Sequence, residues 1–285
     1  MRIIDAETHL LPPEWTRPGY FPEPGETIIR PAMYEHPQRE QAMRGAHADG
    51  LLAEMERSGV SGAIIMGLPW KSPERREQNN AYVAETARRN GRIFMAFGLL
   101  PPPWAEPPER AALRLRDQYG FGGIKVIPSW HGYRLDDPAL EPMLAVMEKE
   151  GMILFPHTDH LFRPHEDADA PYSLLTVARR HPGLTIFAPH LGGLLCLYAL
   201  HKPLAGVLRN ILFLGSVSAT PDMIAFAAKA VGWKSLAFAS DFPFNHDNSM
   251  KNHVKTCMEL SMTDEERRLF FAENVERFRG RLSCA

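Results

Sequence analysis

The sequence lacks the features that mark secreted, membrane-spanning and nucleic-acid-binding proteins. Its three cysteines (Cys196, Cys257 and Cys284) are far apart and form no CxxC pair, so we expect thiols in a reducing compartment. No stretch approaches the ~20 apolar residues that a membrane-spanning helix needs. The net charge is −2 without a long run of one sign, which argues against a nucleic-acid partner and against a polybasic membrane contact.

The N-terminus also lacks a basic region followed by an apolar stretch and a small-residue cleavage site. These absences predict a cytoplasmic protein that binds no membrane. The chain has 285 residues, of which 45% are apolar, and this is enough for one large core. We therefore expect a single domain spanning residues 1–285.

Short apolar runs alternate with helix-like segments along the whole chain. The runs are mostly continuous, as expected for parallel strands that are buried on both faces. The predicted strands are Ile3–Glu7, Val60–Gly67, Ile93–Leu100, Gly123–Ile127, Met152–His157, Leu184–His190, Ile211–Gly215 and Leu236–Asp241. The predicted helices are Asp49–Ser58, Ser72–Asn90, Pro108–Tyr119, Pro138–Glu150, Tyr172–Arg180, Leu194–Leu208, Pro221–Val231, Ser249–Leu260 and Thr263–Arg279.

Eight strands alternating with helices predict either a closed (β/α)8 barrel or a doubly wound open sheet. A dinucleotide-binding sheet needs a glycine-rich loop after its first strand, and residues 10–15 contain no glycine. The strand count and the polar residues at several strand ends favour the TIM barrel. Residues 11–48 form a long segment rich in proline and aromatic residues, and we expect this extended β1–α1 loop to cover the barrel mouth.

Metal-binding residue types occur at the ends of the predicted strands, where barrel active sites are built. Glu7 and His9 lie two residues apart at the end of strand 1, so both project from the same face of the strand. The later strands add a similar set: Lys125, His157, His190 and Asp241. Each alone has an ordinary explanation as a loop histidine or a helix cap, but together they provide the ligand types for Zn²⁺ or Mn²⁺.

Several motifs resemble the amidohydrolase-related enzymes of the aminocarboxymuconate-semialdehyde decarboxylase type. The resemblance covers nearly the whole chain and rests on five segments: residues 5–15, the Gln78–Asn80 to Pro101 passage, residues 122–126, Ala188–Gly193 and Ala239–Phe244. The C-terminal Glu273-Asn274-Val275 also resembles the family's last helix, with Val275 where alanine is usual. The resemblance implies a metal-dependent TIM-barrel enzyme that forms a homodimer.

The resemblance also implies roles for individual residues. It makes Glu7, His9, His157 and Asp241 ligands of one divalent ion, and His190 and Asp241 catalytic residues. Glu7 replaces the commoner first histidine and adds a hard oxygen ligand, which shifts the preference toward Mn²⁺ without excluding Zn²⁺. Lys125 could be a carbamylated ligand of a two-metal site, but we favour a single ion and a neighbouring or structural role for this lysine.

The leading functional hypothesis is non-oxidative decarboxylation of an unsaturated or aromatic carboxylic acid, with a proton delivered from the Asp241 position. The alternative is hydrolysis of a lactone, ester or amide by a water that the ion activates and His190 positions. A non-enzymatic barrel that keeps the site as a relic is a third reading. We expect a carboxylated small-molecule substrate, with four candidate binding residues on mouth loops: Arg44, Arg163, Trp15 and Trp130.

Overall fold

The structure is a computed structural model. It describes residues 1–27, 29–35, 37–100, 106–158, 171–216, 219–244 and 249–279. Eight parallel strands lie in one sheet in chain order, so each strand pairs with the next strand of the sequence. They are β1 Ile4–His9, β2 Gly62–Met66, β3 Ile93–Leu99, β4 Gly123–Val126, β5 Ile153–Pro156, β6 Thr185–Ala188, β7 Ile211–Gly215 and β8 Leu236–Phe238.

The barrel closes between its first and last strands. Thr8 forms an isolated parallel bridge with Phe242, and the His9 N–H donates to the Phe242 carbonyl at 2.7 Å. The Asp5 carboxylate accepts the Ser240 N–H at 2.8 Å on the same seam. The predicted (β/α)8 barrel is therefore confirmed.

Helices surround the sheet, and most of them begin at a proline or at a polar cap, as the sequence indicates. They are α1 Pro37–Met43, α2 Ala48–Ser58, α3 Pro73–Arg89, α4 Pro108–Tyr119, α5 Pro128–His131, α6 Glu141–Lys149, α7 Pro171–Arg180, α8 His190–Gly193, α9 Lys202–Ala205, α10 Pro221–Val231, α11 Met250–Met258, α12 Asp264–Arg268 and α13 Asn274–Glu276. A π-helical turn, Leu269–Glu273, joins the last two.

The predicted continuous helix Leu194–Leu208 is wrong. The segment consists of a 3-10 stretch, Leu195–Leu200, and the single turn α9. Leu194 has a left-handed φ of 68°, which a regular right-handed helix does not allow. Pro203 has no N–H to donate, so the chain can only start a new turn there.

The barrel interior contains an apolar cluster that is formed by alternate residues of seven strands. Side chains from the C-terminal helix pack against this cluster at the amino-terminal end of the barrel. Phe187 of β6 contacts the rings of Phe278, Phe97 and Phe155 at centroid distances of 5.1, 6.2 and 6.3 Å, edge-on to Phe278 and tilted against the other two. Asn274 anchors the helix because its amide donates to the backbone carbonyls of residues 233 and 236, at 2.6 and 2.8 Å. This plug closes the amino-terminal end of the barrel.

The segment 11–48 packs as a layer of its own beside the carboxyl ends of the strands. It contains a 3-10 turn, Pro13–Trp15, a π-helical turn, Arg30–Tyr34, and α1. A buried cluster joins it to the residues that follow β2: Leu11, Trp15, Ile29, Met33, Tyr34, Met43, Ala46, Leu68 and Trp70. In its described residues, the segment that sequence composition assigned to the mouth is thus a cover with its own small core.

Candidate metal centre

A bulge in β1 decides which of its side chains reach the mouth. Between Asp5 and Thr8 the pairing advances by three residues on β1 and by two on β2. Ile4 lies in the apolar interior cluster before this bulge. The extra residue reverses the alternation, so Glu7 and His9 point inward after it.

Glu7 is held inside the barrel by partners at two other strands. Its Oε1 lies 3.2 Å from the Lys125 Nζ of β4. Its Oε2 accepts a hydrogen bond of 2.5 Å from the Ser216 hydroxyl, directly after β7. All three residues are at most 1% exposed, and the Ser216 oxygen also accepts the backbone N–H of His190. The glutamate is therefore fixed at both oxygens.

His9 presents one nitrogen to the site and uses the other for its own orientation. Its Nδ1 lies 3.0 Å from the Gly67 carbonyl, which can only accept, so Nδ1 carries the proton of the neutral ring. Its Nε2 then faces Asp241 Oδ1 at 3.3 Å and Glu7 Oε1 at 4.0 Å with a lone pair. Lone pairs at these distances need a proton or a cation between them.

The residues fit a divalent cation. One ligand atom each from Glu7, His9 and Asp241 lies within 4.8 Å of the others. Two carboxylate oxygens and one neutral imidazole nitrogen form a donor set that suits Mn²⁺ and Zn²⁺. Of the four predicted ligands, these three are the ones that β1 and the segment after β8 bring together.

Asp241 and His190 share an uncommon backbone conformation. Their φ angles are 56° and 53°, in the left-handed region that non-glycine residues rarely adopt and that recurs at functional sites. Burial alone would raise the pKa of Asp241. Electrostatic interactions with His9, His190 and Lys125 outweigh burial and lower this pKa below its ordinary 3.8. Asp241 is therefore a carboxylate, as a metal ligand must be.

His157 lies outside the three-residue group. It follows β5, its N–H donates to the Val126 carbonyl at 2.9 Å, and its ring lies edge-on to His190 with centroids 5.1 Å apart. The two histidines thus form a pair beside the cluster. The predicted role of His157 as the fourth ligand stays a prediction.

The predicted substrate-binding residues occupy different surroundings. Arg44 is exposed, and its guanidinium bonds to Glu40 one helical turn earlier at 3.1 Å. Trp15 is buried in the mouth cover, edge-on to Trp70 at 4.7 Å, and Trp130 packs against the same cluster. Arg163 lies outside the described residues.

Ser216 is the site residue that sequence reasoning missed. Its hydroxyl donates a hydrogen bond to Glu7, and its oxygen accepts the backbone N–H of His190. The sequence feature that could have identified Ser216 is a polar residue directly after the apolar run Ile211–Gly215. The other candidate site residues lie at equivalent positions, at the ends of their strands. A serine gives a weaker signal than histidine or aspartate because it is common in loops.

Comparison with protein families agrees with this geometry. The family model described as amidohydrolase matches residues 4–280. The chain belongs to the amidohydrolase family. A curated relative, the 2-amino-3-carboxymuconate-6-semialdehyde decarboxylase of Dictyostelium discoideum, is 24% identical over 172 residues. That match covers 54% of this chain and 48% of the relative, so it spans about half of the relative's length.

Solved structures of similar fold cover almost the entire amidohydrolase chain. A 5-carboxyvanillate decarboxylase from Novosphingobium aromaticivorans, complexed with manganese and 4-hydroxy-3-methoxy-5-nitrobenzoic acid, has a TM-score of 0.77 at 17% identity, over 98% of this chain and 96% of that one. A dihydroxybenzoic acid decarboxylase from a Polaromonas species, with bound manganese and 2-nitroresorcinol, has a TM-score of 0.75 at 15% identity, over 98% and 97%. At these identities the likeness shows a shared barrel.

Proposed function

We propose that this amidohydrolase is a divalent-metal-dependent carboxy-lyase that removes CO2 from an aromatic or unsaturated carboxylic acid without oxidation. The observation that carries the proposal is the convergence of Glu7, His9 and Asp241 at the carboxyl ends of the barrel strands. Barrel enzymes place their chemistry at this edge. This group supports the sequence-based hypothesis of a decarboxylase by offering it a candidate metal centre.

Glu7, His9 and Asp241 would hold one Mn²⁺ or Zn²⁺ ion, with His157 as the proposed fourth ligand. When bound, the ion orients the substrate carboxylate with an adjacent oxygen and stabilises the negative charge that develops as CO2 leaves. Lys125 and Ser216 fix the glutamate, and the Gly67 carbonyl fixes the histidine ring. The ligands are thus held in place before a substrate arrives.

Decarboxylation breaks one carbon–carbon bond and requires one proton. The electron pair of that bond stays on the substrate carbon, which takes a proton when CO2 has formed. Asp241 and His190 are the proposed proton carriers, since His190 is close enough to act electrostatically on Asp241. Asp241 has a lowered pKa, so a proton that it delivers to carbon must first reach it, and His190 is the neighbouring group suited to supply it.

The names of the similar proteins support this choice of reaction. The curated relative and both structural neighbours described above are decarboxylases, and the two neighbours contain manganese. Their ligands are a nitrobenzoic acid and a nitroresorcinol, which are aromatic rings with oxygen substituents. A small carboxylated aromatic molecule is accordingly the proposed substrate class.

The proposal extends to location and assembly. No helix in the described part of the chain has the length and apolar character to cross a bilayer. We propose a cytoplasmic homodimer, as the family resemblance implies. Light scattering of the purified protein measures its mass directly, and a mass of one chain would contradict the dimer.

The test of the reaction is CO2 release by the Mn²⁺-loaded protein from a panel of hydroxybenzoates and unsaturated acids. We expect His9→Ala to abolish it, because the site loses its imidazole ligand, and to lose the Mn²⁺-dependent gain in melting temperature. Bound ligand at about 100 times its Kd stabilises a protein by about 2.7 kcal/mol. His201→Ala, at an exposed histidine, is the matched control and should behave like the unmodified protein.

Failure of the whole panel, combined with hydrolysis of lactones, esters or amides, would replace the lyase by the hydrolase alternative. The same group at the mouth would serve that chemistry with His190 as the base. An equal Mn²⁺ effect in His9→Ala would place the ion elsewhere and overturn the proposed centre.

A further inference from the structure

Lys125 is a buried cation beside a proposed metal ligand, and neither the ligand set nor the proton carriers account for it. Its side chain is 1% exposed, and its Nζ lies 3.2 Å from Glu7 Oε1. The same Nζ lies 4.3 Å from the centroid of the Phe155 ring. Burying an ammonium group is costly unless it is paired, so the pairing with Glu7 calls for an explanation.

We propose that Lys125 is the counter-charge that keeps the loaded centre cationic, and that it thereby selects a negatively charged ligand. The formal charges carry the argument. The two carboxylates of Glu7 and Asp241 together neutralise a divalent ion, and His9 adds no charge. Lys125 then leaves one positive charge beside Glu7, and both of these side chains are buried. This inference rests on the metal centre of the proposed function.

The positive charge has two opposing effects. It attracts a carboxylate ligand, because charges interact strongly inside a protein where the effective dielectric constant is low. It also repels the metal ion and draws electron density from Glu7, so it weakens metal binding. Lys125 therefore exchanges part of the metal affinity for anion selectivity, and these effects must change in opposite directions when it is removed.

A purely structural salt bridge and a carbamylated lysine predict different behaviour. A structural bridge holds Glu7 in position, so its loss would weaken metal binding. A carbamate on Nζ would be an anion beside the Glu7 carboxylate and would hold a second ion. The number of bound ions therefore separates a carbamate from the counter-charge, and the metal affinity of a Lys125 variant separates a structural bridge from it.

The experiment compares Mn²⁺ affinity by titration calorimetry, and the binding of benzoate and of its neutral analogue benzamide to the Mn²⁺-loaded protein. Lys125→Met removes the charge but keeps most of the length of the side chain. We expect it to bind Mn²⁺ more tightly, by about tenfold or more, and to lose the preference for benzoate over benzamide. Ser216→Ala removes the other Glu7 contact without changing charge, and it should not bind Mn²⁺ more tightly.

Glu7→His combined with Lys125→Met provides the charge-matched rescue. This pair again leaves one positive charge on the loaded centre and no lone buried carboxylate, so it tests the proposal even if Lys125→Met alone does not fold. We expect it to regain the preference for benzoate.

Weaker Mn²⁺ binding by Lys125→Met, two ions per chain in the unmodified protein, no benzoate preference in the unmodified protein, or failure of both Lys125 variants to fold would overturn the proposal. These readouts need no turnover. A missing decarboxylase activity would therefore count against the proposed reaction and leave the role of Lys125 intact.

Discussion

The two ends of the barrel interior are built from the same strands and have opposite chemistry. Toward the amino-terminal end, the Phe187 ring contacts the rings of Phe97, Phe155 and Phe278 in an apolar cluster, and Phe155 is the ring of this cluster that also meets the Lys125 Nζ. At the carboxyl end, Glu7 lies in a buried network of ion pairs and hydrogen bonds. The apolar end stabilises the fold by burying hydrocarbon surface. The polar end is stable only if each buried charge has a partner.

The boundary between these ends can be located on two strands. On β1 it is the bulge after Asp5, and on β4 it is the step to Lys125. Packing at the amino-terminal end makes the strands rigid enough to hold buried polar groups in place at their carboxyl ends. The comparison predicts that stability and metal binding can be changed separately.

The largest effect is expected at the apolar end. Phe187→Ala removes a fully buried ring that contacts three other rings, and it should lower the free energy of unfolding by about 3–5 kcal/mol. The molecules that remain folded should bind Mn²⁺ with unchanged stoichiometry. Urea unfolding and metal titration measure the two quantities.

Phe226→Ala is the control for this substitution, because Phe226 is 63% exposed and should lose almost nothing. Loss of Mn²⁺ binding in folded Phe187→Ala would break the comparison, since it would show that the two ends respond as one unit.

A smaller effect is expected at the boundary, where Asp5 lies buried. Burial raises the pKa of Asp5 from 3.8 to about 7, and its Oδ2 has no hydrogen-bond partner among the described residues. Between pH 4 and pH 7 the folded state then holds a proton that the unfolded state releases, so this residue makes stability fall as pH rises. Asp5→Asn keeps an oxygen that accepts the Ser240 and Glu7 N–H groups and removes the titration.

We expect the metal-free Asp5→Asn protein to lack this part of the pH dependence, a difference of up to about 1.4 kcal/mol per pH unit. Urea unfolding in the presence of a chelator at pH 5, 6, 7 and 8 measures it. If the stability of both proteins depends on pH in the same way, Asp5 is ionised in the folded state over this whole pH range. The boundary of the polar end would then lie on the amino-terminal side of Asp5.

The smallest effect is expected outside both ends, at Arg44. Its exposed pair with Glu40 contributes about 0.3–0.5 kcal/mol, so Arg44→Ala should barely change stability. We also expect an unchanged KM for an acidic substrate, because the guanidinium is half exposed and already bonded. A KM raised about tenfold or more, with kcat unchanged, would instead restore the sequence-based role of Arg44 as a carboxylate binder.

The strands and most helices were predictable because they depend on local patterns. Buried parallel strands appear as short apolar runs, and Ile211–Gly215, Pro108–Tyr119 and Pro221–Val231 were located without error at either end. The long helix over Leu194–Leu208 was not, because its apolar periodicity continued across Pro203. Apolar periodicity alone does not show where the backbone adopts a left-handed φ, as it does at Leu194.

The sequence by itself determined the barrel, the mouth segment and the strand ends that carry Glu7, His9 and Asp241, because each follows from order and periodicity along the chain. Tertiary structure alone decided which atoms meet. The β1 bulge turns Glu7 inward, and only then can Lys125 of β4 and Ser216, directly after β7, pair with its two oxygens. Such contacts join residues 118 and 209 positions apart, and no local pattern encodes a distance across a barrel.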